Sequence, residues 1–354
     1  MDTRRILIDP ALDMTPQVAE AAMLIRRGDL VAFPTETVYG LGADALNERA
    51  AAKIYAAKGR PSDNPLIVHV CDLDQVSRVA RDITDKAWRV MEHFCPGPLT
   101  LILNKKEIVP SQTTGGLSTV AVRMPSHPVA AALIRESGTV IAAPSANRSG
   151  RPSPTTAQHV FEDMNTRIPM ILDAGVVGIG IESTILDMTC DIPVILRPGF
   201  ISGKELSEIV GEVETDPAIL NLEGSKDVRP KAPGMKYRHY APKGQLTLVE
   251  GEASKVALEI RMLAGQKAAQ GFKVGIIATD ESLDRYKDCP VAYIKSMGTR
   301  TEPDSIAASL YAVLRDCDTL GLDYIYSESF FEEGLGDAVM NRMLKAAAYH
   351  LVRV

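Results

Sequence analysis

Cysteine is scarce in this chain: five among 354 residues, at positions 71, 95, 190, 289 and 317, with no CxxC pair. That scatter argues against a zinc module or a disulfide framework and suits a reducing cytoplasm. Long apolar runs are missing too. The start, Met1 to Asp9, holds only three consecutive apolar residues, too few for a signal-peptide core, and no stretch approaches a membrane span. A soluble cytoplasmic protein is expected. Aromatic residues make up only 5% and the formal net charge is -6, so a general nucleic-acid surface is disfavoured and any nucleotide must meet a local basic patch. There is no Walker loop, no Gly-x-Ser-x-Gly elbow, no HExxH helix and no histidine pair at metal spacing. No GxGxxG follows a first strand in the C-terminal third, which removes a nicotinamide oxidoreductase reading of that part.

What is present is an α/β rhythm in two parts. Over residues 1–210, short apolar runs at 30–33, 66–70, 99–103, 119–122, 140–142, 170–172 and 183–186 alternate with helical patterns at 16–27, 47–57, 74–80, 84–93, 127–137, 155–163 and 203–210. The strands outnumber long crossover helices, so a mixed sheet is expected rather than a purely parallel one. Residues 211–244 lose any period and read as a linker. From 245 to 354 the order is strand, helix, strand, strand, helix, strand, helix, the pattern of a smaller Rossmann-like parallel α/β domain.

The chemistry-bearing residues gather at strand ends. Lys58-Gly-Arg60 lies between a helical stretch and an apolar strand, followed by Pro61 and Asn64-Pro65, which stiffen the backbone. A solvated charged turn is the ordinary fate of such a pair; an anion site is the alternative. Arg123 ends an alternating strand, where it either reaches solvent or clamps a carboxylate or phosphate with its planar fork. The run Ala142 to Thr155 offers small residues and the neutral groups of Ser145, Asn147 and Ser153, as a ligand loop or as a plain loop with a helix cap. Arg197 closes a further apolar strand, and several cations at strand ends in one domain favour an anion cleft over any one alone. His69, within an apolar strand, reads by itself as a satisfied half-buried histidine. The glycines at 178 and 180 precede a strand, so they form no dinucleotide fingerprint, and those near 334 open the last helix, where capping outweighs anion binding.

Taken in order, the segments name a family. Phe33 to Gly42 (FPTETVYGLG), Lys58 to Leu66 (KGRPSDNPL), Val122 to Pro125 (VRMP), Ala143 to Asn147 (APSAN), Glu182 to Ile185 (ESTI) and Arg197 to Gly199 (RPG) resemble the YrdC-type domain. With Ala232 to Pro242 (APGMKYRHYAP) and Gly334 to Arg342 (GLGDAVMNR), the whole chain resembles the two-domain threonylcarbamoyl-AMP synthase family.

That resemblance implies a YrdC-type open mixed sheet with a concave cleft, and a linker that closes over it. It implies a nucleotidyltransferase that makes threonylcarbamoyl-AMP and pyrophosphate from L-threonine, bicarbonate and ATP. Mg2+ would arrive on the ATP phosphates with no dedicated protein cage. Carried over by position, Thr35, His69, Arg123, Ala143 and Ser183 would surround threonine. Lys58, Ser62, Asn64, Thr119, Ser145, Asn147, Ser153, Arg197 and Tyr237 would hold ATP, with Lys58 and Arg60 at the reacting carbamate and phosphates. Tyr237, with Lys236 and His239, would fold over bound nucleotide from the linker. A monomer is expected, handing its product to a tRNA threonylcarbamoyl transferase complex, with no direct tRNA binding required. Two other classes compete: an RNA-binding module, and a carbamoyl-transfer maturation enzyme, whose zinc-binding cysteine pairs this chain lacks.

Overall fold

The computed structural model describes residues 2–220, 240–330 and 334–354. They form two compact units. The first holds residues 2–149 and 153–220; the second holds 150–152, 240–330 and 334–354. Among the described residues no helix is long and apolar enough to cross a membrane.

The first unit is built on one mixed sheet. Its strands are β1 (Arg4–Leu7), β2 (Val31–Phe33), β3 (Gly40–Asp44), β4 (Ile67–His69), β5 (Ala80–Arg81), β6 (Leu99–Lys105), β7 (Thr119–Arg123), β8 (Ile141–Ala142), β9 (Met170–Asp173), β10 (Thr184–Asp187), β11 (Val194–Arg197) and β12 (Glu214–Thr215). They lie in the order β1-β9-β2-β3-β8-β4-β7-β6-β10-β11-β12, with β5 on β6. Parallel pairs such as β4–β7 and β6–β10 alternate with antiparallel ones such as β6–β7 and β10–β11, as the scarcity of crossover helices foretold. β12 falls inside the stretch read as aperiodic and extends the sheet beside β11.

The two faces of this sheet are packed differently. On one, Val68, Leu99, Leu101, Val120, Val122, Leu186 and Ile195 meet apolar residues of the helices Glu48–Lys58, Leu73–Val79, Asp85–Phe94, Ala157–Met164 and Gly203–Val210. On the other, helices Thr15–Arg26 and Pro128–Ser137 cover β2, β8 and β9 through Val18, Ala22, Ile25, Leu133 and Ile134. Further along that second face, Ile67, Ile102, Ala121, Ile185 and Leu196 form a small apolar cluster made of strand residues alone.

Local signals explain the elements. The helix Glu48–Lys58 starts at Asn47, whose side chain accepts from the N–H groups of Arg49 and Ala50, and stops at Gly59, which takes the left-handed φ of 63°. The helix Gly203–Val210 opens with a reciprocal Ser202–Glu205 capping box.

In the second unit β13 (Gln245–Glu250), β14 (Val274–Ala278), β15 (Tyr293–Ser296), β16 (Tyr324–Glu328) and β17 (Leu351–Arg353) form an all-parallel sheet in the order β15-β14-β16-β13-β17. β14, VGIIA, is apolar and buried along its whole length, as a strand of a sheet covered on both faces requires. At the carboxyl end of β16 the buried Glu328 accepts from Tyr286 Oη at 2.7 Å and from Arg300 Nη2 at 2.9 Å.

Candidate active site

The turn between β2 and β3 organises the site. Thr35 Oγ1 donates to the Val38 carbonyl at 2.7 Å and accepts from the N–H groups of Thr37 and Val38, so the turn closes on itself. Its backbone then binds two distant loops. Glu36 O and Thr37 O accept from the N–H groups of Ile179 and Gly180, and Tyr39 donates to Pro154 O while accepting from Ala146 N. Gly40 forms a bridge to Ser145. Segments 143–154 and 178–183, both singled out in the sequence, are thus tied to one turn.

Lys58, in the last turn of its helix, reaches the first of these loops. It is 4% exposed, and its Nζ donates to Ser145 O at 2.5 Å, Asn147 O at 2.6 Å and Asn147 Oδ1 at 3.3 Å. Ser145 Oγ donates to Asn147 Oδ1 at 2.5 Å, and Ser149 N returns a hydrogen bond to Lys58 O. An ammonium inside a ring of carbonyl oxygens is a fixed positive charge, the opposite of a waving surface lysine.

A second group is set by register. Reading across the sheet, Ile141 of β8, His69 of β4, Arg123 of β7, Thr100 of β6, Ile185 of β10 and Arg197 of β11 are successive pairing partners. Paired residues of neighbouring strands share a face, so His69, Arg123, Thr100 and Arg197 form one polar row, bordered by the strand-only apolar cluster. Arg197 joins it through an irregularity. The register shifts between Ile185 and Leu186, leaving Leu196 as an extra residue between the paired Ile195 and Arg197.

Each member of the row is held. Arg123, 5% exposed, donates through Nη2 to Glu36 Oε1 at 2.7 Å, while its Nε is buried without a hydrogen-bond partner. Leaving such a donor unsatisfied costs about 1–3 kcal/mol. Asn64 Oδ1 is a second buried atom of this kind. Arg197 donates from Nε and Nη2 to the Ser183 carbonyl and from Nη2 to Ser183 Oγ at 3.1 Å, and Ser183 Oγ shares a 2.7 Å hydrogen bond with Thr100 Oγ1. Ser153 Oγ donates to Glu182 Oε1 at 2.5 Å. Gly199 packs flush on this strand: a Cβ there would lie 2.2 Å from Thr184 N and 2.6 Å from the Ser183 carbonyl carbon.

His69 is more deeply buried than the sequence suggested, at 3% exposure. Burial, and then the Arg123 guanidinium beside it, lower its pKa to about 3. The ring is therefore neutral, and the Ile67 carbonyl 3.1 Å from Nδ1 can accept a hydrogen carried there. Between pH 6.5 and 3 the unfolded chain binds a proton here that the folded chain refuses, so stability falls as pH falls below the unfolded value. Between pH 7.5 and 5 this amounts to about 2 kcal/mol. Urea unfolding of the parent and of His69→Gln at both pH values measures it. The stability difference between the two proteins should shrink or reverse by that amount at pH 5; a pH-independent difference would mean that the imidazole takes up its proton in the fold as readily as in the unfolded chain.

Other sequence candidates lie beside these contacts or away from them. Arg60 turns back on its own loop, donating to Asn64 O and Pro65 O, and Ser62 is exposed. Thr119 stands at the start of β7, about 13 Å along the strand from Arg123. Ala143 is buried and donates its N–H to Ile67 O. Lys236, Tyr237 and His239 lie outside the described residues. Three polar residues went unremarked in the sequence: Glu36, Thr100 and Glu182. Glu36 and Glu182 lie within quoted motifs, and an acid beside a cluster of buried cations was the available signal; nothing local marks Thr100.

Two family models match the chain, and they meet near residue 200, inside the first unit. The family model Sua5/YciO/YrdC, described as telomere recombination, matches residues 23–199, and the model for the threonylcarbamoyl-AMP synthase C-terminal domain matches residues 201–348. The threonylcarbamoyl-AMP synthase of Bacillus subtilis is 46% identical across the whole of both chains. That of Pyrococcus abyssi is 48% identical over 94% of this chain and 95% of its own. The crystal structure of P. abyssi Sua5 complexed with L-threonine superposes with a TM-score of 0.93 at 45% identity, covering 99% of this chain and all of the other.

Proposed function

The chain belongs to the threonylcarbamoyl-AMP synthase family, enzymes that transfer an adenylyl group from ATP, and on that premise we propose that it joins L-threonine, bicarbonate and ATP into threonylcarbamoyl-AMP, pyrophosphate and water. The product would serve a transferase complex that modifies an adenosine beside the tRNA anticodon. The relative solved with L-threonine supports an amino-acid site in this fold.

The observation that carries this reading is the polar row, with a buried arginine whose Nε lacks an acceptor next to a neutral imidazole. Arg123 would take the carboxylate of threonine. Thr35, His69, the backbone at Ala143 and Ser183 would frame its amine and hydroxyl. The neutral amine attacks carbon dioxide or bicarbonate to form a carbamate, whose oxygen displaces pyrophosphate from the α-phosphorus. Neither step requires a covalent enzyme nucleophile, so positioning and charge neutralisation supply the acceleration. Lys58, with Ser145 and Asn147 around it, would meet the phosphates, and Ser153, Thr119 and Arg197 would hold the remainder of the nucleotide, Mg2+ being part of the ATP substrate. Arg60, Ser62 and Asn64 would close the loop beside them, and Tyr237 would cover the nucleotide from the linker.

The test is pyrophosphate release by purified protein given ATP, with threonine and bicarbonate omitted in turn. Release that needs both supports the reaction. Release that ignores either substrate would overturn it.

A further inference from the structure

Arg123 is held by a carboxylate that the proposed reaction does not use, and the way it is held is unusual for a purely structural ion pair. Glu36 contacts the guanidinium through one oxygen only, Oε1 to Nη2 at 2.7 Å. Its other oxygen accepts from the backbone N–H of Ser126 at 3.2 Å, three residues beyond Arg123. Its own carbonyl accepts from Ile179 N at 2.8 Å, which fixes the backbone from which the side chain departs. Both partners are largely buried, with side-chain exposures of 5% for Arg123 and 13% for Glu36. A carboxylate free to satisfy an arginine would commonly take two of its N–H groups side by side. Here the geometry spends one oxygen on the backbone, takes a single N–H, and leaves Nε buried without an acceptor.

We propose that Glu36 is a positioning residue for threonine: it anchors Nη2 of Arg123 so that the guanidinium presents Nε to the substrate carboxylate. This rests on the reading that Arg123 binds that carboxylate. An arginine has several rotatable bonds, and fixing one end of its planar fork in advance removes the search that binding would otherwise require. Glu36 is tethered at both carboxylate oxygens and at its carbonyl, so it holds the arginine in place and does not swing away to make room for substrate.

The experiment compares Glu36→Gln, Glu36→Asp and Arg123→Lys with the parent, measuring KM for threonine and for ATP, kcat, and threonine affinity by calorimetry. Glutamine loses the charge, and aspartate keeps it but falls short by one methylene. Both should raise KM for threonine about tenfold while KM for ATP and kcat stay near the parent values. Equal rises for both substrates would mark a general structural role and overturn the proposal. A lowered KM for threonine would show that Glu36 competes with substrate and would overturn it as well. If Arg123→Lys leaves KM for threonine unchanged, the reading of Arg123 itself fails; if only the Glu36 variants do, the positioning role alone fails. Should Glu36→Gln not fold, Glu36→Asp carries the same expectation.

Discussion

Lys58→Met is expected to lower threonine-dependent pyrophosphate release by about 10³-fold, the scale on which a single preorganised electrostatic contact acts on a transition state. The side chain keeps its unbranched shape, one atom shorter, and loses its charge. In the folded protein that charge is fixed by Ser145 O, Asn147 O and Asn147 Oδ1, so its position is set before any phosphate arrives and costs no rearrangement during reaction. The loss should be selective. Threonine affinity, measured by calorimetry, should stay close to the parent's, because the residues proposed for the amino acid, Thr35, His69, Arg123, Ala143 and Ser183, do not include Lys58. The carbonyls left without their ammonium will lower the melting temperature somewhat, so circular dichroism at the assay temperature should accompany the kinetics. A well-folded Lys58→Met protein with activity within tenfold of the parent would remove Lys58 from the phosphate site.

Gly199→Ala should produce the largest effect on stability. The new methyl would meet backbone atoms of Ser183 and Thr184 at 2.6 and 2.2 Å, where no flexible side chain can yield. Thr184 is fixed on both sides: its N–H donates to Pro98 O, and its hydroxyl bridges the backbone of Ile201. Relief must come by moving Arg197-Pro-Gly199 away from β10, which separates Arg197 from Ser183. Overpacking of this kind costs about 1–3 kcal/mol, on the order of 2–12 °C in melting temperature for a unit of this size. Threonine-dependent turnover should fall with it even at temperatures where the protein remains folded. Scanning calorimetry with a shift of less than a degree would show that the turn has more room than the coordinates give it.

Much of this architecture is legible in the sequence. The strand runs at 30–33, 66–70, 99–103, 119–122 and 183–186 are there because β-branched and aliphatic residues cluster in short stretches bounded by Gly, Pro and Asn. β3 carries little strand signal, since two of its five residues are glycine, a residue depleted in strands. β1 was passed over because two arginines open it and most of it is exposed on the sheet edge. β17, two half-buried residues and an exposed one, carries no alternation long enough to count.

For the site, residue identity was easier to foresee than partnership. Lys58 and Arg123 were visible as cations at strand and helix ends, but their partners Ser145 and Glu36 each lie 87 positions away. Such pairings follow from sheet order, which no local pattern encodes. Arg123 was expected at a substrate carboxylate; the structure adds an internal one at Glu36. The motifs preserved the ingredients, and the topology decided who meets whom.

The slip in β11 also bears on how the chain tolerates changes of length. With an even ladder, Leu196 would stand opposite Ile185 and the guanidinium of Arg197 would turn toward the helix-packed side of the sheet. The strand carries one residue more than its neighbour needs at that point. Deleting Leu196 would regularise the ladder and leave Arg197 aimed as it is, whereas an added residue would have to be looped out or would send the guanidinium to the wrong side. Shortening and lengthening at this one place are therefore unequal events, and only the second threatens the chemistry.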